Sequence, residues 1–348
     1  MSPKTQKALF LLERFGNFSI KETEIYKPGP GELLIKIHAI SLNPVDWKIQ
    51  KYGFVVENYP AILGTDIAGE VEEIGEGVIG FKKGDRIFSH ANTVNEYAGF
   101  QQYALTWASA AAKIPEKWTY DPVASLPLAL TTAYIGLYNI APHGLGYLPP
   151  NSAENRGKYA GTPLVVFGGS SSVGQMTLQL AKISGFFPII TTASVKHTAY
   201  LKSLGATHVI DRNAEHDALV TEVRNIVNGQ KIFGVYDAIS NAATEQAALD
   251  ILSPQGQLVI TLRPPAVEAP KDKSVFFVWA APRSPEIVEL VEELYHDLIT
   301  GFLEEGLIKP NNIEVLPDGL AGIESGLARM AADQISAQKL IVHPQQTI

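Results

Sequence analysis

The sequence predicts an α/β protein in which a β-rich N-terminal part precedes a parallel, doubly wound sheet. Up to about residue 125, short β-type runs such as "GELLIKIHAI" alternate with Pro and Gly turns such as "KPGPG". From Leu164 onward, helical patterns alternate with the apolar runs "LVVFGG", "PIITTAS", "THVID", "VYDAIS" and "QLVITL". Strands that alternate with helices pair in parallel, because each helix returns the chain to the same end of the sheet.

The composition excludes several classes of protein. The chain has 348 residues, of which 46% are hydrophobic and 18% charged, as in an ordinary soluble globular protein with room for two domains. Its net charge of -8 and its lack of a basic run argue against nucleic acid or an anionic membrane as partner. Its lack of cysteine excludes disulfides, thiolate zinc sites, iron–sulfur clusters and a cysteine nucleophile.

The N-terminal segment "MSPKTQKALFLLERFG" lacks a long apolar core. It carries charges at Lys4, Lys7, Glu13 and Arg14. It therefore predicts neither a signal peptide nor a membrane span, and we expect a cytoplasmic protein.

The segment "VVFGGSSSVGQMTLQLAK" joins the first apolar run of the sheet to a helix through glycines and three consecutive serines. A nucleophile elbow, G-x-S-x-G, is excluded because Ser172 stands where the second glycine belongs. A triphosphate-binding P-loop is disfavoured because Gln175 and Met176 replace its lysine and its hydroxyl residue.

The dinucleotide turn, G-x-G-x-x-G, fits this segment best. Gly169 and Gly174 stand at its two ends, and Ser171 replaces its middle glycine. The following helix is predicted to end at Gly185 and to place on one face the apolar residues Val173, Met176, Leu180 and Ile183. A strand, a glycine turn and a helix in this order bind a pyrophosphate through backbone N–H groups, so the segment predicts a dinucleotide site.

Two other segments have a distinct texture. The stretch "HGLGYLPPNSAENRGKYAGTP" is rich in Gly, Pro and Asn and predicts a surface loop before the parallel sheet. The tail "IEVLPDGLAGIESGLARMAADQISAQKLIVHP" predicts a strand, a helix and a strand that return to the N-terminal part.

Several motifs, in order along nearly the whole chain, resemble those of the zinc-independent medium-chain dehydrogenases/reductases. They are "SLNPVDWKIQKYG", "PAILGTDIAGEVEEIGEGVIGFKKGDRIF", "FGGSSSVGQMTLQLAKISG", "LKSLGATHVID" and "QKLIVHP". Within that superfamily the chain looks most like quinone-oxidoreductase-like proteins and, from its GGSSSVG turn and Asn/Pro-rich loop, fungal trans-acting enoyl reductases. The resemblance implies a GroES-like catalytic domain of residues 1–127 and 286–348, an inserted Rossmann domain of residues 128–285 that binds NADPH, and an active site between them.

The end of the second parallel strand, "TTASVKH", bears on the choice of cofactor. NAD-specific domains usually carry Asp or Glu about 20 residues after the glycine turn, and no carboxylate occurs from Thr191 to His197. Ser194, Lys196 and His197 instead offer a hydroxyl and cations to a 2′-phosphate, which favours NADPH over NADH. The alternative is that Lys196 and His197 only lie on the solvent face of the next helix.

The resemblance assigns the cofactor site to residues from six segments. Beside the pyrophosphate it implies Ser171, Ser172, Val173 and Gly174, and at the adenosine phosphate Ser194, Val195, Lys196 and His197, with Arg212 at the adenine. At the nicotinamide end it implies Val45, Asp46, Trp47, Lys48, Leu262, Ile341 and Val342. An ordinary turn cation is the alternative for Arg212, and core packing is the alternative for Leu262, Ile341 and Val342.

Zinc-dependent members of the superfamily hold their catalytic metal with Cys, His and the Glu of a G-H-E segment. The corresponding stretches here, "LNPVD" and "LGTD", have lost these ligands. Asp66 occupies the glutamate position, and we expect it to be a hydrogen-bonded turn residue. No metal site is therefore predicted.

Without a Lewis acid, another group must stabilise the negative charge that hydride transfer creates on a conjugated carbonyl oxygen. Lys48 stands where the quinone-oxidoreductase-like pattern has tyrosine and the enoyl-reductase pattern has lysine. Its ammonium is predicted to hydrogen-bond the nicotinamide ribose, stabilise the enolate or transfer a proton, and the alternative is a surface lysine. Thr132, in "ASLPLALTTAYIGLY", either donates to the substrate carbonyl or bonds back within its own helix.

The run "KSVFFVWAAPR", after the predicted last strand of the sheet, predicts an acyl or aromatic wall in which Val278 and Trp279 face the substrate. The sequence thus predicts an NADPH-dependent enzyme that reduces a C=C bond conjugated to a carbonyl or thioester. The alternatives are a quinone oxidoreductase with the same cofactor and an NADPH-binding protein without catalysis. The expected partner is a small molecule, namely an enone, enoyl thioester or quinone, free or carrier-bound, and the expected assembly is a monomer or homodimer.

Overall fold

The computed structural model describes residues 4–348 and contains two strand-rich parts. The strands of the N-terminal part are β1 (Thr5–Leu11), β2 (Phe18–Glu24), β3 (Glu32–Ser41), β4 (Ala61–Ile62), β5 (Asp66–Ile74), β6 (Arg86–His90), β7 (Tyr103–Trp107) and β8 (Ala111–Lys113). The parallel sheet contains β9 (Leu164–Phe167), β10 (Ile189–Ala193), β11 (His208–Asp211), β12 (Gly234–Asp237), β13 (Gln257–Ile260) and β14 (Ser274–Phe277). The tail adds β15 (Asn312–Val315) and β16 (Gln338–Val342).

The helices connect and cover these sheets. In chain order they are α1 (Pro44–Tyr52), α2 (Tyr120–Ala124), α3 (Pro127–Tyr138), α4 (Ser172–Ser184), α5 (Thr198–Leu204), α6 (His216–Val227), α7 (Ala242–Ile251), α8 (Val288–Glu292), α9 (Ile299–Glu305) and α10 (Gly322–Ala331). A π-helical turn, Glu293–Leu298, joins α8 to α9. No helix of residues 4–348 combines the length and the apolar character needed to span a bilayer.

The parallel sheet has the strand order β11-β10-β9-β12-β13-β14. All of its pairs are parallel, so the predicted doubly wound α/β architecture is confirmed. Its side chains alternate between two cores: Leu164 and Val166 pack on the face toward α3 and α4, and Val165 and Phe167 pack on the opposite face. This alternation follows from the two-residue period of a strand, and it explains why every residue of β9 is apolar.

The sequence analysis wrongly took "QLVITL" as the last strand of this sheet. "QLVITL" contains β13, and "SVFF" of the predicted substrate wall forms a sixth strand, β14, parallel to it. Phe276 and Phe277 therefore belong to the edge of the sheet, and only the residues from Val278 onward follow a strand end.

The β-rich part forms a second sheet that also takes in the tail. Its order is β15-β16-β3-β5-β6-β8, with β7 pairing β3 beside it, and a smaller sheet has the order β2-β1-β4. One end of β3 pairs with β16 at Ser41 and Ile341, which confirms that the tail returns to the N-terminal part. The long central β3 is thus held by strands from both ends of the chain.

One of the hydrophobic cores contains residues of both parts. Phe88 of β6 and Tyr295 of the π-helical turn belong to the same buried cluster as α3 and α4, and their ring centroids lie 6.1 Å apart. We predicted that α4 buries a single apolar face. In the structure most of its residues are buried, because α3 also packs against it. Each large apolar side chain buried in this way, such as Leu178, stabilises the fold by roughly 1.5–3 kcal/mol.

The Asn/Pro-rich stretch is a loop, as predicted, with a single isolated bridge from Ala160 to Phe186. It is fixed by aromatic packing: the Tyr159 and Phe186 rings stack with centroids 4.8 Å apart, and Tyr147 packs edge-on against both. The loop therefore has a defined shape on the surface of the parallel sheet.

Candidate functional site

Ten of the sixteen predicted cofactor residues follow the C-terminal ends of strands of the parallel sheet, which all lie at one edge of it. The chain runs from β9 through β10 to β11 on one side, and then continues with β12 on the other side of β9. Open α/β sheets bind ligands at such a reversal of strand order. The glycine turn after β9 lies at this position.

The glycine turn packs so closely that two of its glycines have no room for a side chain. A Cβ on Gly174 would lie 2.2 Å from the carbonyl oxygen of Gly168, and a Cβ on Gly169 would lie 2.2 Å from the Thr191 hydroxyl. Gly168 itself has φ +75°. The Ser171 hydroxyl caps α4 by accepting the N–H of Gly174 at 3.0 Å. These residues leave a narrow cradle at the N-terminus of a 13-residue helix, which fits a pyrophosphate.

The predicted adenosine-phosphate residues follow β10 in a 3₁₀ turn, Val195–His197. Burial, Lys196 and Arg212, in that order, lower the pKa of His197 below its usual range. Since both cations act on the imidazole, we name Lys196, His197 and Arg212 the cationic cluster, in which Lys196 and Arg212 carry the charge. Ser194, half-buried, precedes this turn, and no acid acts with the cations on His197. The cluster fits a 2′-phosphate.

The imidazole of His197 also contacts the C-terminal tail, which pairs with the N-terminal part. His197 Nε2 and the Ser336 hydroxyl lie 2.9 Å apart, and Ser336 belongs to the connection between α10 and β16. The sequence analysis did not identify Ser336, because no local pattern brings residue 336 to residue 197.

Helix α1 positions Lys48. The Asp46 carboxylate caps the helix by accepting the N–H of Asn43 at 2.8 Å, and Gly53 ends it in a left-handed conformation. Lys48 is half-buried, with Nζ 5.6 Å from the centroid of the Trp47 ring. Burial lowers the pKa of the Lys48 ammonium, and the charge of Asp333 partly opposes this shift.

The three predicted companions of Lys48 are placed differently from one another. Asp46 is fully buried, and burial raises the pKa of its carboxyl to about 7. Trp47 turns toward α10, where it lines a cavity of about 290 Å³ with Gln50 and Leu327. Val45 is half-buried against the N-terminal core. Asp46 thus acts as a capping residue here, and its predicted contact with cofactor stays a prediction.

A buried polar cluster lies beside α1, at the stretches that would hold a catalytic metal. Lys339 forms an ion pair with Asp66, and its Nζ donates to Asn43 Oδ1 at 2.8 Å; the two charged side chains are 3% and 0% exposed. Asp66 also accepts the Asn43 amide at 2.8 Å and the N–H of Leu128 at 2.6 Å. Asp66 is therefore the first residue of β5 and half of a buried ion pair, rather than the turn residue we expected.

The donor set of this cluster does not fit zinc. An ammonium already occupies the cation position beside Asp66, and Asn43 and Thr65 are poor zinc ligands. The nearby His90 is buried, and burial lowers the pKa of its imidazole to about 4. Within residues 4–348, no three His, Asp or Glu side chains are grouped to hold a metal ion.

Thr132 adopts the second of its two predicted roles. Its hydroxyl donates to the carbonyl oxygen of Leu128, one turn earlier in α3, at 2.7 Å. Its own carbonyl accepts the Tyr236 hydroxyl at 2.8 Å. A role as donor to a substrate requires the Thr132 hydroxyl to leave this bond, and it stays a prediction.

The predicted lining residues differ in exposure. Leu262 and Trp279, which follow β13 and β14, are 38% and 43% exposed. Val278 is 3% exposed within the shared core, and Ile341 and Val342 are fully buried in β16. Leu262 and Trp279 are thus available to a ligand in this structure. Ile341 and Val342 occupy the core positions named as their alternative, and Val278, expected to face the substrate, is also buried in a core.

Asp237, which sequence reasoning missed, shapes the loop after β12. One of its carboxylate oxygens accepts the N–H groups of Ile239 and Ser240 at 2.9 Å, and the other accepts the Thr244 hydroxyl at 2.6 Å. Burial raises the pKa of this carboxyl to about 6. Ile239 is held against Gly168, at the glycine turn. The signal in the sequence was an acid at a strand end followed by Ser and Asn, which is typical of a side-chain-stabilised turn.

Two family models match the chain. The model for the Alcohol dehydrogenase GroES-like domain matches residues 29–116, and the model for Zinc-binding dehydrogenase matches residues 172–277. The first range covers the β-rich part around α1, and the second begins at the first residue of α4.

Individual proteins resemble the chain over most of its length. Dehydrogenase orsE of Emericella nidulans is 31% identical over 97% of this chain and 99% of its own. Trans-enoyl reductase fsr4 of Gibberella fujikuroi is 29% identical over 90% of this chain and 91% of its own. Among solved structures, the quinone oxidoreductase from Coxiella burnetii superposes with a TM-score of 0.71 at 25% identity, covering 97% of this chain and 99% of that one.

Proposed function

The chain belongs to the medium-chain dehydrogenase/reductase superfamily of oxidoreductases, and on that premise we propose that it uses NADPH to reduce a C=C bond conjugated to a carbonyl or thioester. The observation that carries the proposal is the half-buried ammonium of Lys48, which packs against Trp47 and for which residues 4–348 provide no salt-bridge carboxylate. A relative named as a trans-enoyl reductase supports the same reaction.

The choice of NADPH rests on the cationic cluster of Lys196, His197 and Arg212. A 2′-phosphate adds about two negative charges that Lys196 and Arg212 attract, and no carboxylate occurs from Thr191 to His197 to bind a free 2′-hydroxyl. The cofactor supplies a hydride to the substrate when bound. Gly168, Gly169 and Gly174 let its pyrophosphate approach the N-terminus of α4.

In the proposed reaction the residues of this chain bind the substrate and stabilise the negative charge that develops on it. The Lys48 ammonium donates to the carbonyl oxygen on which negative charge develops as the conjugated carbon accepts a hydride. The partial burial of Lys48 strengthens this interaction, because charges attract more strongly where the local dielectric constant is lower than that of water. Leu262 and Trp279 offer apolar surface to an acyl chain or ring.

The proposed reaction proceeds without zinc. Asn43, Thr65 and Asp66 offer a metal no thiolate or imidazole, and Lys339 already neutralises Asp66. Elemental analysis of the purified protein should find no stoichiometric zinc, and a chelator should leave turnover unchanged. One zinc per chain would contradict this part of the proposal.

A quinone oxidoreductase is the second candidate, favoured by the similarity to the solved enzyme of that name. NADPH binding without catalysis is the third. The free or carrier-bound state of the substrate, a monomeric or homodimeric assembly and a cytoplasmic location stay predictions from the sequence.

The decisive experiment follows NADPH oxidation by stopped flow with enones, enoyl thioesters and quinones, and identifies the products. We expect turnover of a conjugated carbonyl with the double bond reduced and the carbonyl retained. Turnover confined to quinones, an allylic alcohol as product, or binding without oxidation would each overturn the proposal.

Lys48→Met and Lys51→Met form a matched pair of variants for the same experiment. Both ammonium groups lie 5.6 Å from the Trp47 ring centroid, but Lys51 is exposed. We expect Lys48→Met to lower kcat at least tenfold with a small change in NADPH affinity, because only an interaction that strengthens in the transition state raises kcat. Lys51→Met should leave both quantities unchanged. A loss of NADPH affinity alone would make Lys48 a cofactor ligand.

A further inference from the structure

The connection of residues 332–337, between α10 and β16, reaches both ends of the candidate cofactor site. Its Ser336 hydroxyl lies 2.9 Å from His197 Nε2 in the cationic cluster. Its Asp333 acts electrostatically on Lys48 at the other end. The connection belongs to the part of the chain that also carries α1, whereas His197 belongs to the parallel sheet.

The connection has a fixed shape. Asp333 and Ala337, near its two ends, both have left-handed backbones, with φ +54° and +56°. The N–H of Asp333 bonds to the Met330 carbonyl at 3.1 Å, which ends α10, and Ile335 packs against the N-terminal core. Ser336 is exposed, so its position is set by backbone geometry and by the anchor of the neighbouring Ile335. A hydroxyl held in this way loses little entropy when it binds a ligand.

The surroundings of Ser336 suit an anion. Lys196 and Arg212 surround His197 with positive charge, and none of the groups that shift the His197 pKa is a carboxylate. A serine hydroxyl is both donor and acceptor. With the imidazole proton on Nε2, Ser336 Oγ can accept a hydrogen bond from His197 and keep its own proton free to donate to a phosphate oxygen.

We propose that Ser336 is a ligand of the cofactor's 2′-phosphate, contributed by the catalytic part of the chain to a site whose other ligands lie on the parallel sheet. The inference rests on the proposed use of NADPH. It implies that the 2′-phosphate adds a second link between the two parts of the molecule beside the His197–Ser336 hydrogen bond, and that NADH, which lacks this group, does not add it.

The first test compares Ser336→Ala with the control Ser325→Ala by fluorescence titration with NADPH and NADH. Ser325 lies in α10, the helix before the connection, and within residues 4–348 its hydroxyl bonds only to the local Gly322 carbonyl. We expect Ser336→Ala to weaken NADPH binding about fivefold and to leave NADH binding unchanged, as for the loss of one hydrogen bond. Ser336→Thr, which retains a hydroxyl, should restore most of the preference.

The second test measures amide hydrogen exchange in residues 332–337 of the wild-type protein. NADPH should slow exchange there more than NADH does at equal saturation, and Ser336→Ala should remove the difference. The salt dependence of NADPH binding should be the same in Ser336→Ala and in the wild type, because a serine carries no charge.

The outcomes separate the inference from the proposed cofactor. If the wild type prefers NADPH and Ser336→Ala keeps that preference, the inference is wrong and the proposed cofactor stands. If Ser336→Ala binds NADPH more tightly, the bond to His197 is a contact that the cofactor must break, and the inference is again wrong. If the wild type binds NADPH and NADH equally, both fail.

Discussion

The Lys48 ammonium is charged and half-buried, and its titration should make kcat depend on pH. The ammonium form is the one that stabilises negative charge, and burial lowers its pKa below the ordinary value of about 10.4. As pH rises, kcat should therefore begin to fall at a pH below that value. A plot of kcat against pH from 6 to 10 measures the midpoint.

Lys48→Arg is the control for this profile, because a guanidinium stays charged throughout the range. The variant should lack the descending limb even if its maximal kcat is lower. An identical limb in Lys48→Arg would assign the titration to another group.

Lys196 provides a second test at the residue scale. Lys196→Ala should weaken NADPH binding roughly fivefold, which corresponds to about 1 kcal/mol for a partly exposed lysine–phosphate contact. NADH binding should be unchanged, and Lys202→Ala, at an exposed position on α5, should affect neither cofactor. Fluorescence titration measures all four affinities. Equal losses for NADPH and NADH would place Lys196 away from the 2′-phosphate.

Single residues were predictable from the sequence where their environment is local. Ser171, expected beside the pyrophosphate, and Lys196 and His197, expected at the adenosine phosphate, lie within a few residues of the motifs that singled them out. The role of Asp66 was wrong because its ion-pair partner, Lys339, stands 273 positions later. Ser336 was missed for the same reason, since no spacing or period connects it to His197.

At the scale of elements, Gly174 at the start of α4 can be compared with Gly301 in α9. Gly174→Ala would place a Cβ 2.2 Å from the Gly168 carbonyl oxygen, which is backbone and cannot rotate away. We expect a loss of about 1–3 kcal/mol in the free energy of unfolding and NADPH binding weakened more than tenfold. A Cβ on Gly301, in α9, would meet no atom of residues 4–348 within 4 Å apart from its own helix backbone and chain neighbours, so Gly301→Ala should stabilise the protein by up to about 1 kcal/mol. Thermal unfolding and NADPH titration measure both effects, and a Gly174→Ala protein with normal affinity would exclude the cradle.

The buried cap of α1 makes stability depend on pH. The pKa of Asp46 is about 7 in the folded protein and near 4 when unfolded, so the folded state holds a proton that the unfolded state has released between these values. Its contribution to the free energy of unfolding is therefore greatest below pH 4 and is lost as pH rises to 7. The contribution of His90 has the opposite slope, since its folded pKa of about 4 lies below its ordinary value of about 6.5.

Asp46→Asn isolates the first of these two slopes. Urea unfolding at pH 5 and pH 8 should show the variant gaining stability relative to the wild type as pH rises. Asp217→Asn, at an exposed position in the first turn of α6, should show no such change. A difference between Asp46→Asn and wild type that is constant with pH would mean that Asp46 is ionised in both states.

Among the elements, the parallel strands and α4 were predicted because period and turn residues are encoded within each segment. β14 was taken for a substrate wall because a short aromatic run has the same composition in a sheet edge and in a pocket. Only its pairing with β13, a non-local contact, distinguishes the two. The burial of α4 on several sides likewise depends on α3, which the α4 sequence does not contain.

At the scale of the molecule, Lys339 and Asp66 connect the tail to the N-terminal part in a buried ion pair. Lys339→Met should cost about 3–5 kcal/mol of unfolding free energy, because it leaves the Asp66 carboxylate buried and unpaired. The double variant Asp66→Asn/Lys339→Met should be more stable than Lys339→Met alone, since it leaves no buried charge. Equilibrium unfolding in urea measures both.

A surface ion pair serves as the reference for this experiment. Lys113 and Asp85 lie 3.1 Å apart with the lysine half exposed, so Lys113→Met should cost less than about 1 kcal/mol. Equal costs for Lys113→Met and Lys339→Met would show that burial adds nothing to the Lys339 pair.

The separation of these two charges along the chain has a consequence for biosynthesis. Lys339 is translated 273 residues after Asp66, and at 5–20 residues per second this takes roughly 15–55 s. During that interval β5 cannot settle into the sheet without burying a carboxylate that has no counter-charge, and the position of β16 beside β3 is vacant. The N-terminal sheet therefore reaches its complete set of contacts only after the tail has been synthesised.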